Sequence, residues 1–115
     1  MDEYWPNGFQ VIDEATMHDV VRRIVDRFHP RRIVVFGSHA RGDAGPDSDL
    51  DLFVEMESDL SPLDRNLEFR RFLDDRRYPI DVVVYTPDEV TDARRRFGNL
   101  MSYIDAEGRT LYERP

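Results

Sequence analysis

The sequence predicts an α/β domain built on a mixed β-sheet of three to four strands flanked by helices. Three short runs of β-branched and aromatic residues, in "RRIVVFG", "DLDLFVEM" and "PIDVVVYT", read as strands. The segments between and around them repeat apolar residues every three or four positions, as amphipathic helices do. The two kinds alternate along the chain, which is the pattern of a sheet covered by helices. With 115 residues and no internal repeat or linker, positions 1–115 are expected to form one domain with a small core.

The lead-in carries Tyr4, Trp5 and Phe9, expected to pack over the core. From about residue 14 to 28, Met17, Val20, Val21, Ile24, Val25 and Phe28 mark the apolar stripe of a first helix, which His29-Pro30 ends. "RRIVVFG" is a strand, and "SHARG" begins a short helix directly behind it. "GDAGPDS" is loop and "DLDLFVEM" the second strand. In "SPLDRNLEFRRFLDDRR", Ser61 offers an N-cap and Pro62 suits the first turn, with Leu63, Leu67 and Phe72 expected to face inward. "PIDVVVYT" is the third strand, with Pro79 at its start. Thr86-Pro87 then repeats the cap-and-proline signal before a helical stretch with Val90, Phe97, Leu100, Met101 and Ile104, broken near Gly98. "RTLYERP" can add a fourth strand.

Composition narrows the chemistry. There is no cysteine, so disulfides, thiolate metal sites and cysteine nucleophiles are excluded. All 16 basic residues are arginine, which removes a phosphate-loop lysine, a lysine Schiff base and a covalent lysyl-nucleotide intermediate. Phosphate must then be met by arginine, hydroxyls, backbone N–H groups or a cation. A net charge of −8 disfavours broad binding to nucleic acid. No apolar run reaches the length of a membrane span and no secretory leader is present, so a soluble cytoplasmic protein is expected.

The chemically informative stretch is "VVFGSHARGDAGPDSDLDLFV". In a strand, Asp49 and Asp51 point to one face while Leu50 and Leu52 point to the other. Two adjacent carboxylates repel, and burial drives them toward protonation unless a divalent cation intervenes. Mg²⁺ takes oxygen ligands and is commonly held by one or two carboxylates together with substrate phosphates. Gly37-Ser38, between strand and helix, lets a backbone approach a phosphate, supplies free N–H groups and adds a hydroxyl. Arg41, one turn on, can add a charge-assisted bond. Taken singly, an Asp-x-Asp pair most often faces solvent and a Gly-Ser turn most often caps a helix. Side by side, they read as the two halves of a nucleoside-triphosphate site. If the third strand lies beside the second, Asp81 reaches the same cluster. In a two-metal displacement Asp49 and Asp51 would bridge both ions, and Asp81 would hold the ion on the nucleophile side and help take the proton.

Gly-Ser, ten residues and Asp-x-Asp together resemble the signature of the DNA polymerase β-like nucleotidyltransferases. The chain looks most like the minimal nucleotidyltransferases (MNT), whose domain is little more than the catalytic palm, and among them the MntA-type antitoxins of HEPN/MNT toxin–antitoxin systems. The likeness extends to the leading helix, "IDVVVYTPDEV" with its third acid, and "DAEGRTLYER". It implies transfer of a nucleoside monophosphate to a hydroxyl, with two Mg²⁺ ions, ATP as the expected substrate and pyrophosphate as product. By position, Gly37, Ser38 and Arg41 would bind the nucleotide, and Asp49, Asp51 and Asp81 would be catalytic metal ligands. The resemblance also implies a HEPN-domain toxin as partner, adenylylated on a tyrosine.

A protein acceptor suits a chain with room for a palm and no second substrate-binding domain. Two alternatives stand beside it. One is transfer to a small cationic molecule of the aminoglycoside type, by a homo-oligomer or with a separate subunit; the other is an antitoxin that acts by contact alone. His39 reads as a bystander within the motif, and His18 and His29 as helix-surface and helix-end residues. The Arg94-Arg95-Arg96 run reads as a solvated face. Asp47 and Ser48 shape the loop, Glu55 lies too far along its strand to be a ligand, and Leu100, Met101 and Tyr103 fit either core or a docking patch.

Overall fold

The computed structural model describes Tyr4, Pro6, residues 11–74 and residues 78–115. Helix α1 (Glu14–Phe28) opens with Asp13, whose carboxylate accepts the Thr16 N–H at 2.8 Å, and buries Met17, Val20, Val21, Ile24 and Phe28. His29 closes it in the left-handed conformation, φ 51°, with its N–H on the Val25 carbonyl. Then follow β1 (Arg32–Phe36), the four-residue α2 (Ser38–Arg41), β2 (Leu50–Glu55), α3 (Pro62–Phe72) and β3 (Ile80–Tyr85). The chain ends with α4 (Pro87–Arg94), α5 (Leu100–Glu107) and β4 (Arg109–Glu113). No helix among the described residues is long and apolar enough to cross a membrane.

The four strands form one mixed sheet in the order β3-β2-β1-β4. Strand β1 is antiparallel to both neighbours, whereas β2 and β3 run parallel, joined by a crossover through α3. Side chains alternate between two cores. Ile33, Val35, Leu50, Leu52, Val54 and Val84 pack with α1 and with Phe69 and Leu73. Val34, Phe36 and Phe53 pack on the other face with Val90, Ala93, Met101 and Ile104.

Helix α3 turns differently from its apolar pattern. Ser61 caps it and Pro62 begins it as expected. Its inward residues, however, are Arg65, Phe69 and Leu73; Leu63 is 68% exposed, and Leu67 and Phe72 are only partly covered. The cause is an ion pair. The buried Arg65 guanidinium grips both oxygens of Glu89 at 2.6 and 2.8 Å, and Glu89 also accepts the Thr86 N–H in the capping box of α4. That demand rotates α3 and leaves Leu63 in solvent.

The last helical stretch does break at Gly98, φ 75°, into α4 and α5. Phe97, in the turn, is fully exposed rather than part of a stripe. Met101 is buried, with Leu100 and Tyr103 packed against the same core, so those three belong to the fold. Arg94, Arg95 and Arg96 are all exposed, as a solvated face requires, and Arg94 in addition forks onto Asp105 of α5 at 2.9 and 3.0 Å. Tyr4 is half exposed; Trp5 and Phe9, and the end of the predicted third helix at 75–77, lie outside the described residues.

Candidate active site

Strand register assembles the site. In β1–β2, Phe36 pairs with Asp51, and in β2–β3, Asp51 pairs with Asp81. Directly paired residues share a face, so Phe36, Asp51 and Asp81 form one row across three strands. The row lies at the edge of the α4–α5 face, where Phe36 joins the core and the two acids lie beyond it. Gly37-Ser38 follows Phe36 directly, which brings the turn beside Asp51.

Gly37 is required there. Its φ of 73° suits glycine, and a Cβ at this position would sit 2.5 Å from Asp51 Oδ2. The turn thus holds its backbone against the carboxylate with no side chain between. The carbonyl of Gly37 accepts the N–H groups of Ala40 and Arg41, and that of Ser38 accepts those of Gly42 and Asp43, winding α2 into a single tight turn. Asp49 stands one residue before β2 rather than inside it, and is exposed.

The carboxylates feel one another. Burial, and then the charges of Asp81 and Asp49, push the Asp51 carboxyl up to about 6, while Arg41 pulls it down. Among the described residues, no group of three His, Asp or Glu side chains is placed to hold a metal ion, so Asp49, Asp51 and Asp81 do not close into a metal site by themselves. Their oxygen-only donor set suits a hard cation that keeps waters and completes its shell with phosphate oxygens.

Arg41 is oriented by two partners, donating from Nε to Asp43 at 3.2 Å and from Nη1 to the Tyr103 hydroxyl. Tyr103 reaches over from α5, its ring edge-on to Phe36 with centroids 6.2 Å apart. Its hydroxyl is pushed up, first by a bond to Glu107 and then by burial. No spacing rule connects Arg41 and Tyr103, 62 positions apart; only the packing of α5 shows the contact. Partial burial lowers the His39 pKa, against a bond to the Ser48 backbone that raises it, and its Nε2 is buried without a partner. Ser48 in turn accepts the Gly45 N–H at 2.9 Å. His18 lies on the exposed side of α1, 3.8 Å from Glu14, and Glu55 pairs with Arg32 at 3.3 Å, both away from the acids.

Comparison with known proteins gives the family and the fold. The family model described as nucleotidyltransferase domain matches residues 18–109. The protein adenylyltransferase MntA of Thermococcus cleftensis is 38% identical over 53 residues, an alignment covering 46% of this chain and 52% of that protein. The chain therefore spans about half the length of this curated relative. Among solved structures, a putative nucleotidyltransferase from Sulfolobus solfataricus superposes with a TM-score of 0.59 at 21% identity, over 85% of this chain and 78% of that one. A toxin–antitoxin crystallised with AMP-PNP gives 0.55 at 18% identity, over 83% and 71%. A mutant of the toxin–antitoxin MntA–HpeT gives 0.54 at 17%, over 90% and 75%. At these identities the superpositions establish the shared fold.

Proposed function

Because the chain belongs to the nucleotidyltransferase domain family, we propose that it transfers AMP from ATP to a hydroxyl of a partner protein. The partner we infer is a HEPN-domain toxin, with a tyrosine as acceptor. The observation that carries the transfer chemistry is the Gly37 turn, open for want of a side chain and pressed against Asp51 in a row with Asp81. The protein acceptor is supported by the likeness to a relative named protein adenylyltransferase.

On this reading the Gly37-Ser38 turn and Arg41 hold the triphosphate, the turn through N–H and hydroxyl donors and Arg41 through its charge. Two Mg²⁺ ions, when bound, neutralise the phosphates and make the acceptor hydroxyl more acidic; Asp49 and Asp51 would hold both, and Asp81 the one nearer the acceptor. The acceptor oxygen bonds to the α-phosphorus, the bond from that phosphorus to the bridging oxygen breaks, and pyrophosphate leaves. Asp81 takes or directs the released proton. Arg41, held by Asp43 and Tyr103, reaches the site without having to be ordered first.

The test is incubation with α-labelled ATP, Mg²⁺ and the product of the adjacent gene. Label should appear on that protein and vanish with Asp51→Ala. Neutralisation of a toxin by Asp51→Ala as effectively as by the unaltered protein would instead establish an antitoxin acting by contact.

A further inference from the structure

Asp51 stands in the middle of the row at the site, with β1 on one side of it and β3 on the other. Asp81 lies on the β3 side. Arg41 and Tyr103 lie on the β1 side, where the Tyr103 ring packs edge-on against Phe36. An in-line displacement keeps the attacking and leaving oxygens on opposite sides of the phosphorus. With the acceptor arriving at Asp81, the pyrophosphate end of the nucleotide points toward Arg41.

The Arg41 side chain is 43% exposed, so a ligand can reach it, and its charge is felt at Asp51. Three nitrogens share its planar fork. Nε donates to Asp43 Oδ2 at 3.2 Å and Nη1 to the Tyr103 hydroxyl. Nη2, which shares an edge of the fork with Nε, has no partner among the described residues. The contact with Asp43 is thus single-pronged, although arginine and carboxylate favour two parallel bonds. Closing the second bond would spend Nη2 and cancel the charge that a phosphate needs.

We propose that Tyr103 is a positioning residue for nucleotide binding, which holds Arg41 off Asp43 and so leaves Nη2 for the phosphates that depart as pyrophosphate. The inference rests on the nucleotide site proposed above and goes beyond it by giving α5 a part in recognising the triphosphate. The phenol suits the task because it is a neutral acceptor: it fixes Nη1 without neutralising the guanidinium. Its own proton goes to Glu107, one helical turn on, whose carboxylate can only accept. That bond keeps the oxygen's lone pair turned toward Arg41, while Phe36 fixes the ring. A carboxylate in place of the phenol would pair with Arg41 as Asp43 does and compete with phosphate.

The test titrates Mg²⁺ and ATP by calorimetry into the full chain, Tyr103→Phe, Asp43→Asn and the double variant. Tyr103→Phe should bind about tenfold more weakly, the effect of one charge-assisted bond, with the melting temperature of the free protein holding. Asp43→Asn should restore binding in the Tyr103→Phe background and gain severalfold less in the unaltered one, because only a released Arg41 folds back onto Asp43. Tyr103→Phe binding like the unaltered chain, or equal gains from Asp43→Asn in both backgrounds, overturns the proposal. A second measurement needs no nucleotide. In ¹⁵N spectra of the free protein, the Arg41 Nε–H should exchange more slowly in Tyr103→Phe as the second bond to Asp43 closes. No change there overturns the role of Tyr103 whether or not ATP binds. Absence of ATP binding by the unaltered chain defeats the nucleotidyl-transfer reading itself.

Discussion

At the scale of single residues, the site depends on one absent side chain and one reluctant charge. Gly37→Ala places a Cβ within 2.5 Å of Asp51 Oδ2 at a φ that alanine resists. We expect a loss of about 1–3 kcal/mol in stability, together with loss of the rise in melting temperature that Mg²⁺ and ATP confer; calorimetry with and without nucleotide measures both. Asp51 has its pKa raised to about 6 from 3.8. The folded state therefore binds more protons than the unfolded chain between those values, and stability falls as pH climbs through that window. Asp51→Asn should stabilise the metal-free protein above pH 6 by about 1 kcal/mol, after discounting for solvent screening of a half-exposed group. Below pH 4 the two proteins should unfold alike. Denaturant titrations at the two pH values decide it; a variant less stable at pH 7 would refute the carboxylate crowding.

At the scale of elements, α3 is placed by Arg65 as much as by its apolar residues. Truncating Arg65 to Ala strands Glu89 and loosens both α3 and the start of α4, an expected loss of about 3 kcal/mol. The same pair gives an acid signature. The bond from Arg65 holds Glu89 down at about 2, so its contribution is complete above the ordinary value of 4.5 and disappears as pH falls toward 2. The Arg65→Ala protein should show a flatter acid-unfolding curve over that range, measurable by circular dichroism. The orientation of α3 has its own check. Leu63→Ser should change stability by less than about 0.5 kcal/mol because Leu63 is 68% exposed. Phe69→Ala, which empties a site stacked on Phe28 at 4.0 Å, should cost about 3–5 kcal/mol. Comparable values for the two would place the helix the other way round.

At the scale of the whole molecule, sheet order makes the site. The α3 crossover sets β3 parallel to β2 in a register that pairs Asp51 with Asp81, while the α2 loop returns the chain antiparallel and pairs Asp51 with Phe36. The end of β1, helix α2 and the starts of β2 and β3 thus meet at one end of the sheet. Strand positions, caps and the acidic pair were readable because they are local: β-branched runs, Ser61-Pro62, Thr86-Pro87 and the Gly37-Ser38 turn are each decided within a few residues. Leu63 misled because apolar spacing describes a helix in isolation, and α3 answers to an arginine seeking a carboxylate 24 positions away.

By itself, then, the amino-acid sequence determined the alternation of helices and strands and the glycine turn, since both follow from backbone preference and short-range spacing. Only the tertiary structure decided that Tyr103 braces Arg41 and that β3 lies beside β2 with Asp81 opposite Asp51. Those facts depend on which strands become neighbours and how helices rotate to satisfy buried charge, and neither is encoded in any short window of the chain.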